Sequence, residues 1–144
     1  MFALITNLAL LTAMSASTSA DAGDLKPGTY KGPAVVSADD VESNGRLSMV
    51  IKSVDEAGNV KATIRGSNGL SGTGEITGKI DEDGIFRFKG SVTQPYGTSS
   101  VVWKIKGKAK VNGDKIKGTY NMETNFSGLI TEADGKFEVK LVDD

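Results

Sequence analysis

From residue 24 onward, apolar and polar side chains alternate along the chain with a period of two. Leu47, Met49 and Ile51 share one phase. Val60, Ala62 and Ile64 share the next, with Lys61, Thr63 and Arg65 between and beyond them. Ile76 and Ile80 alternate with Glu75, Thr77 and Lys79, and Phe86, Phe88 and Val92 with Arg87 and Lys89. The longest run covers 101–111: Val101, Trp103, Ile105, Ala109 and Val111 take one phase, and Lys104, Lys106, Lys108 and Lys110 take the other. Ile116, Tyr120 and Met122 then oppose Lys115 and Lys117, while Phe137, Val139 and Leu141 oppose Lys136, Glu138 and Lys140. One apolar phase and one polar phase is what an antiparallel sheet buried on a single face requires. No segment after residue 24 has a helical period.

The punctuation between these runs predicts hairpins. Asn112-Gly113 is a strong type I′ signal, because both central residues of that turn need positive φ. Asp55-Glu56-Ala57-Gly58 and Asp81-Glu82-Asp83-Gly84 read as connections closing on a left-handed glycine. Ala133-Asp134-Gly135 reads as one more turn. The expected strands, eight or nine in number, are roughly 27–36, 46–54, 59–66, 72–80, 85–93, 99–111, 115–123, 125–131 and 136–142. Short links between them favour an all-β, antiparallel up-and-down β-barrel of about eight strands, since closure removes the open sheet edges. A two-sheet β-sandwich is the alternative. Inward-phase glycines such as Gly74, Gly78, Gly107 and Gly118 suit the tight coiling of a barrel.

The short Gly28-Thr29-Tyr30 lead into the first strand, followed by a series of hairpins, resembles the calycin group of barrels, the lipocalins and avidins. The resemblance implies a ligand-holding barrel. It is one of architecture: lipocalins have tryptophan where Tyr30 stands, no arginine follows Arg87, and Trp103 is the sole tryptophan. No binding residue carries over.

Residues 2–14, FALITNLALLTAM, form a short apolar run followed by small residues. That order predicts a signal peptide over 1–20, cleaved after Ala20 or after Ala22, and a secreted or periplasmic domain over 21–144. The run is short for a membrane span. It lacks a preceding Lys or Arg, so its positive end is the α-amino group.

Composition changes the picture mainly by exclusion. The chain has no His and no Cys, which removes a Ser-His-Asp triad, a thiolate nucleophile, His or Cys metal sites and disulfides. No enzyme, metal or cofactor is expected. Gly72-Thr73-Gly74-Glu75-Ile76-Thr77-Gly78-Lys79 departs from both nucleotide-loop spacings, and no helix follows it. The acidic Asp81-Glu82-Asp83 tip returns directly to strand and reads as a turn. A net charge of −1 conceals local asymmetry, because 85–120 holds Asp114 as its one acid among many lysines.

Two candidate sites remain. The inward aromatics Phe86, Phe88, Trp103, Tyr120 and Phe137 either fill the barrel or line a space for a small apolar ligand. The outward Arg87, Lys89, Lys104, Lys106, Lys108, Lys110, Lys115 and Lys117 form a basic wall for an anionic polymer or protein partner. The sequence-level expectation is a binding protein using its interior, with an envelope-associated or interaction protein using its wall as the alternative.

Overall fold

Alternation with one apolar phase leads to a sheet that closes on itself. A computed structural model of the protein describes residues 25–142. Among them are the strands β1 (Gly28–Ala38), β2 (Val41–Val54), β3 (Asn59–Ser67), β4 (Thr73–Ile80), β5 (Ile85–Tyr96), β6 (Ser99–Asn112), β7 (Lys115–Phe126) and β8 (Leu129–Leu141). Each pairs antiparallel with its sequence neighbours, and β1 pairs with β8 to complete an eight-stranded barrel. The sandwich alternative is thereby set aside. The expected signal peptide over 1–20 lies outside the described residues. No helix among the described residues is long and apolar enough to cross a membrane.

Two turns differ from expectation. The β6–β7 hairpin has Gly113 and Asp114 at its centre, because Asn112 already pairs with Lys115. Only Gly113 takes positive φ there, at 65°, which is a type II′ arrangement and not type I′. More consequentially, Ala133-Asp134-Gly135 is not a turn. All three residues lie within β8, opposite Met122, Asn121 and Tyr120 of β7. The expected strands 125–131 and 136–142 are thus the β7–β8 hairpin and a single long strand. Ser127 and Gly128, with φ of 55° and 84°, make that turn. Gly135 serves packing instead, since a methyl group there would collide with the ring of Tyr120. The glycine makes room for an aromatic on the neighbouring strand.

The two ends of the barrel are closed differently. At the lower end lie the β2–β3, β4–β5 and β6–β7 turns. The first two are braced by aspartates: Asp55 Oδ1 accepts from the backbone N–H of Asn59 at 2.8 Å, and Asp81 Oδ1 from those of Asp83 and Ile85 at 2.9 and 3.1 Å. Leu25, 2% exposed, plugs this end, and the Tyr30 hydroxyl donates to the Lys26 carbonyl at 2.9 Å. Above the plug the interior is filled by Ile51, Val60, Ile76, Ile80, Phe86, Ile116 and Val139. Each such side chain contributes about 1.5–3 kcal/mol on leaving water.

Candidate functional site

The upper end, where the β1–β2, β3–β4, β5–β6 and β7–β8 turns lie, is not filled in this way. A cavity of about 170 Å³ opens there, bounded by residues of every strand except β4 and by the β3–β4 loop. Its floor is aromatic. Phe137 meets Phe88 in a T-shaped contact and Tyr120 in a tilted one, with ring centroids 6.2 Å and 6.0 Å apart. Its walls are Leu47, Ile64, Val92, Ile105, Met122 and Ala133, whose inward direction follows from the period-two alternation of their strands.

Of the five inward aromatics singled out from the sequence, Phe88, Trp103, Tyr120 and Phe137 line this cavity. Phe86 does not. It is fully buried one layer lower, with its ring centroid 5.3 Å from that of Phe88. Trp103 packs against the core yet is only partly buried, because its place on β6 is at the mouth. The inward phase of 101–111 holds: Ile105, Ala109 and Val111 are buried.

A polar chain crosses the rim. Trp103 Nε1 donates to Gln94 Oε1 at 3.0 Å, and Gln94 Nε2 donates to Ser71 Oγ at 2.9 Å. These bonds tie β6 and β5 to the β3–β4 loop. That loop carries Leu70, packed against the core cluster beside Gly45 and Gly66, and turns through positive φ at Asn68, Gly69 and Gly72. Gln94 was legible in principle, being a polar residue on the inward phase of Phe88 and Val92. Leu70 and Ser71 sit in a loop, where periodicity carries no signal.

Among the described residues, one phenol faces the cavity. Tyr120 Oη donates weakly to the Val35 carbonyl at 3.3 Å, and burial pushes its pKa up to about 12. The group therefore stays protonated across the physiological range. Thr124, buried near the mouth, donates from Oγ1 to the Val102 carbonyl at 2.7 Å. It does so where the β6–β7 ladder has already ended: pairing stops at Lys104 and Glu123, although both strands continue upward. The ladder's early end leaves the sheet less tightly joined beside Trp103.

The basic residues lie on the outer face, with unequal surroundings. Arg87 stands opposite Lys108 and Lys89 opposite Lys106, while Lys104 faces Glu123 and Lys110 faces Lys117. Lys115 and Lys117 both approach Glu138, at 3.6 and 3.9 Å. Arg87 pairs with Asp81 at 3.1 Å, and the Lys110 ammonium donates to the Asp83 carbonyl. Lys89, Lys104, Lys106 and Lys108 form no ion pair with a described residue. No group of His, Cys, Asp and Glu among the described residues is arranged to hold a metal ion. Compared with known proteins, the chain matches no family model, and no curated sequence matches it either.

Proposed function

We propose that the protein is an exported, non-enzymatic binding protein that holds one small apolar molecule in the upper half of its barrel. The cavity carries this reading. Its floor and walls are aromatic and aliphatic, and at its rim Trp103 Nε1 and the Gln94 amide already have partners, beside the exposed Ser43 and Arg65. Binding would thus be driven by apolar burial, with the rim excluding water. A cavity of about 150 Å³ lined by apolar side chains accommodates a benzene-sized molecule. The 170 Å³ here suits a single ring with one or two substituents. A long acyl chain would need the floor to move.

The antiparallel closure supports a calycin-like role for the chain, a ligand held inside a barrel of successive hairpins. Export rests on the apolar and small-residue pattern of 2–20, and intact mass of the natural product tests it. A product starting at Asp21 or Gly23 agrees, and a retained Met1 refutes it.

A thermal-shift series with substituted benzenes and larger bicyclic compounds tests the ligand reading. Ligands that bind the folded state raise the melting temperature by mass action. Single-ring apolar compounds should do so and shift Trp103 emission, with little dependence on salt. A series in which none raises the melting temperature, or in which only charged compounds do, would refute the proposal.

A further inference from the structure

Barrel closure brings together a set of cations that lie far apart in sequence. Lys61 on β3 and Lys79 on β4 join Arg87 and Lys89 on β5 and Lys106 on β6 around a shallow recess on the outer wall. The registers are direct: Lys61 faces Thr77, Thr77 faces Lys89, Lys79 faces Arg87, and Lys89 faces Lys106. Lysines on neighbouring strands are thus about 5 Å apart at the backbone, and successive outward positions are about 7 Å apart.

This arrangement opposes folding. Like charges directly across a ladder repel, and here they meet at Lys79–Arg87, Arg87–Lys108 and Lys89–Lys106. Alternating lysine with glutamate would keep strands soluble equally well without that repulsion. β8 shows the alternative, with Glu132, Asp134, Lys136, Glu138 and Lys140 on its outward phase. Around the recess the nearest strand carboxylate is Glu75, one outward position above Thr77, and it forms no ion pair with a described residue. Among the described cations, Asp81 forms an ion pair with Arg87 alone. Lys61, Lys79, Lys89 and Lys106 remain uncompensated, and all are exposed.

We infer that this recess is a binding site for a linear acidic polysaccharide, one that bears sulfate or carboxylate groups along its length. An extended polyanion relieves the cross-strand repulsion over several strands at once. The outward positions beside the cations are Thr63, Thr77 and Ser91, which can hydrogen-bond sugar hydroxyls, and Glu75, which lies between Thr63 and Ser91 on the upper side. None is aromatic, so base stacking of the kind single-stranded nucleic acid uses has no platform. None is aliphatic, so insertion into a bilayer has no anchor. The cations of the site occupy the outward phase, opposite to the side chains of the interior cavity, and Phe88 borders both spaces.

The test compares two triple variants of the full chain by titration with a heparin oligosaccharide. In Lys79→Gln/Lys89→Gln/Lys106→Gln, affinity should fall at least about tenfold relative to wild type. In Lys31→Gln/Lys136→Gln/Lys140→Gln, which removes as much charge from the other wall, it should stay within about twofold. Removing opposed like charges should leave the first variant's melting temperature equal to or above that of wild type, which separates lost binding from lost folding. Wild-type affinity should fall steeply between about 50 and 150 mM salt, as surface charges become screened. Equal losses in the two variants would mean non-specific attraction and overturn the site. Heparin binding absent at low salt would do so too. Equal or tighter binding to a short DNA duplex, or to vesicles rich in anionic lipid, would overturn the polysaccharide assignment.

Discussion

The lower and upper halves of this barrel share eight strands and one alternation of side chains, yet only the lower half is filled. Below the Phe88–Phe137–Tyr120 floor, Phe86, Ile51, Ile76, Ile116 and Val139 interdigitate above Leu25. Above the floor, the same inward positions carry Ala133, Met122, Leu47 and Gln94, and a cavity remains among them. The turns differ as well. Aspartates brace two lower turns, whereas the upper rim exposes Val41, Tyr96, Leu129 and Ile130. The contrast places the packed core in one half and, on the reading proposed above, recognition in the other.

The largest expected effect belongs to the filled half. Phe86→Ala should destabilise the fold by about 3–5 kcal/mol, the usual range for truncating a buried aromatic, while chemical denaturation remains cooperative. Trp103→Ala, at the partly buried mouth, should cost about 1–2 kcal/mol, since less apolar area leaves water on folding there. It should also weaken small apolar ligands more than Phe86→Ala weakens them. If the two variants cost the same, the division between halves fails.

Much of this is legible along the chain, and the departures have physical causes. The run from Val101 to Val111 reveals its own inward phase, because period two is a local property and the core selects one face. Closure follows from successive hairpins. Gly135 resembles a turn residue because a glycine next to aspartate serves a turn and an aromatic's neighbour equally well. The ring that decides it belongs to Tyr120, on another strand. Phe86 and Phe88 look equivalent in sequence, and only the height of each along the barrel separates filler from lining. Lys61 and Lys79 fall outside the basic wall that periodicity draws, because only strand pairing sets Lys79 opposite Arg87 and brings Lys61 across Thr77 from Lys89. Conversely, Lys115 and Lys117 lose weight because Glu138 lies across from Lys117.

A smaller effect sharpens the same comparison from the cavity side. Ala133→Leu should fill part of the space over the aromatic floor and change stability by less than about 1.5 kcal/mol, because there is room for the added carbons. The variant should lose the thermal shift produced by single-ring ligands. A large loss of stability would mean the wall around Ala133 is already tightly packed.

The smallest effect concerns the lower turns. The Asn59 side chain and backbone hold the Asp55 carboxyl below its ordinary pKa, and the Ile85 and Asp83 amides do the same for Asp81, with help from Arg87. A depressed folded-state pKa adds stability above the unfolded pKa, and that stability is lost as pH falls through the folded one. Melting temperature should therefore be insensitive to these groups above about pH 5 and decline below about pH 4. In Asp55→Asn/Asp81→Asn, which keeps an oxygen acceptor in each turn but removes its titration, the acid decline should be shallower. An unchanged decline would show that the turn aspartates do not contribute to it.

The most direct test of the division is xenon binding followed by methyl NMR. Xenon is apolar, small and indifferent to specific chemistry, so it reports where apolar space exists in solution. Under xenon pressure, saturable shifts should concentrate on the methyl groups of Met49, Ile64, Ile105 and Met122, which border the cavity. Those of Ile80, Ile116 and Val139 in the lower half should hardly move. Shifts spread evenly over both groups, or none on the upper set, would contradict the account.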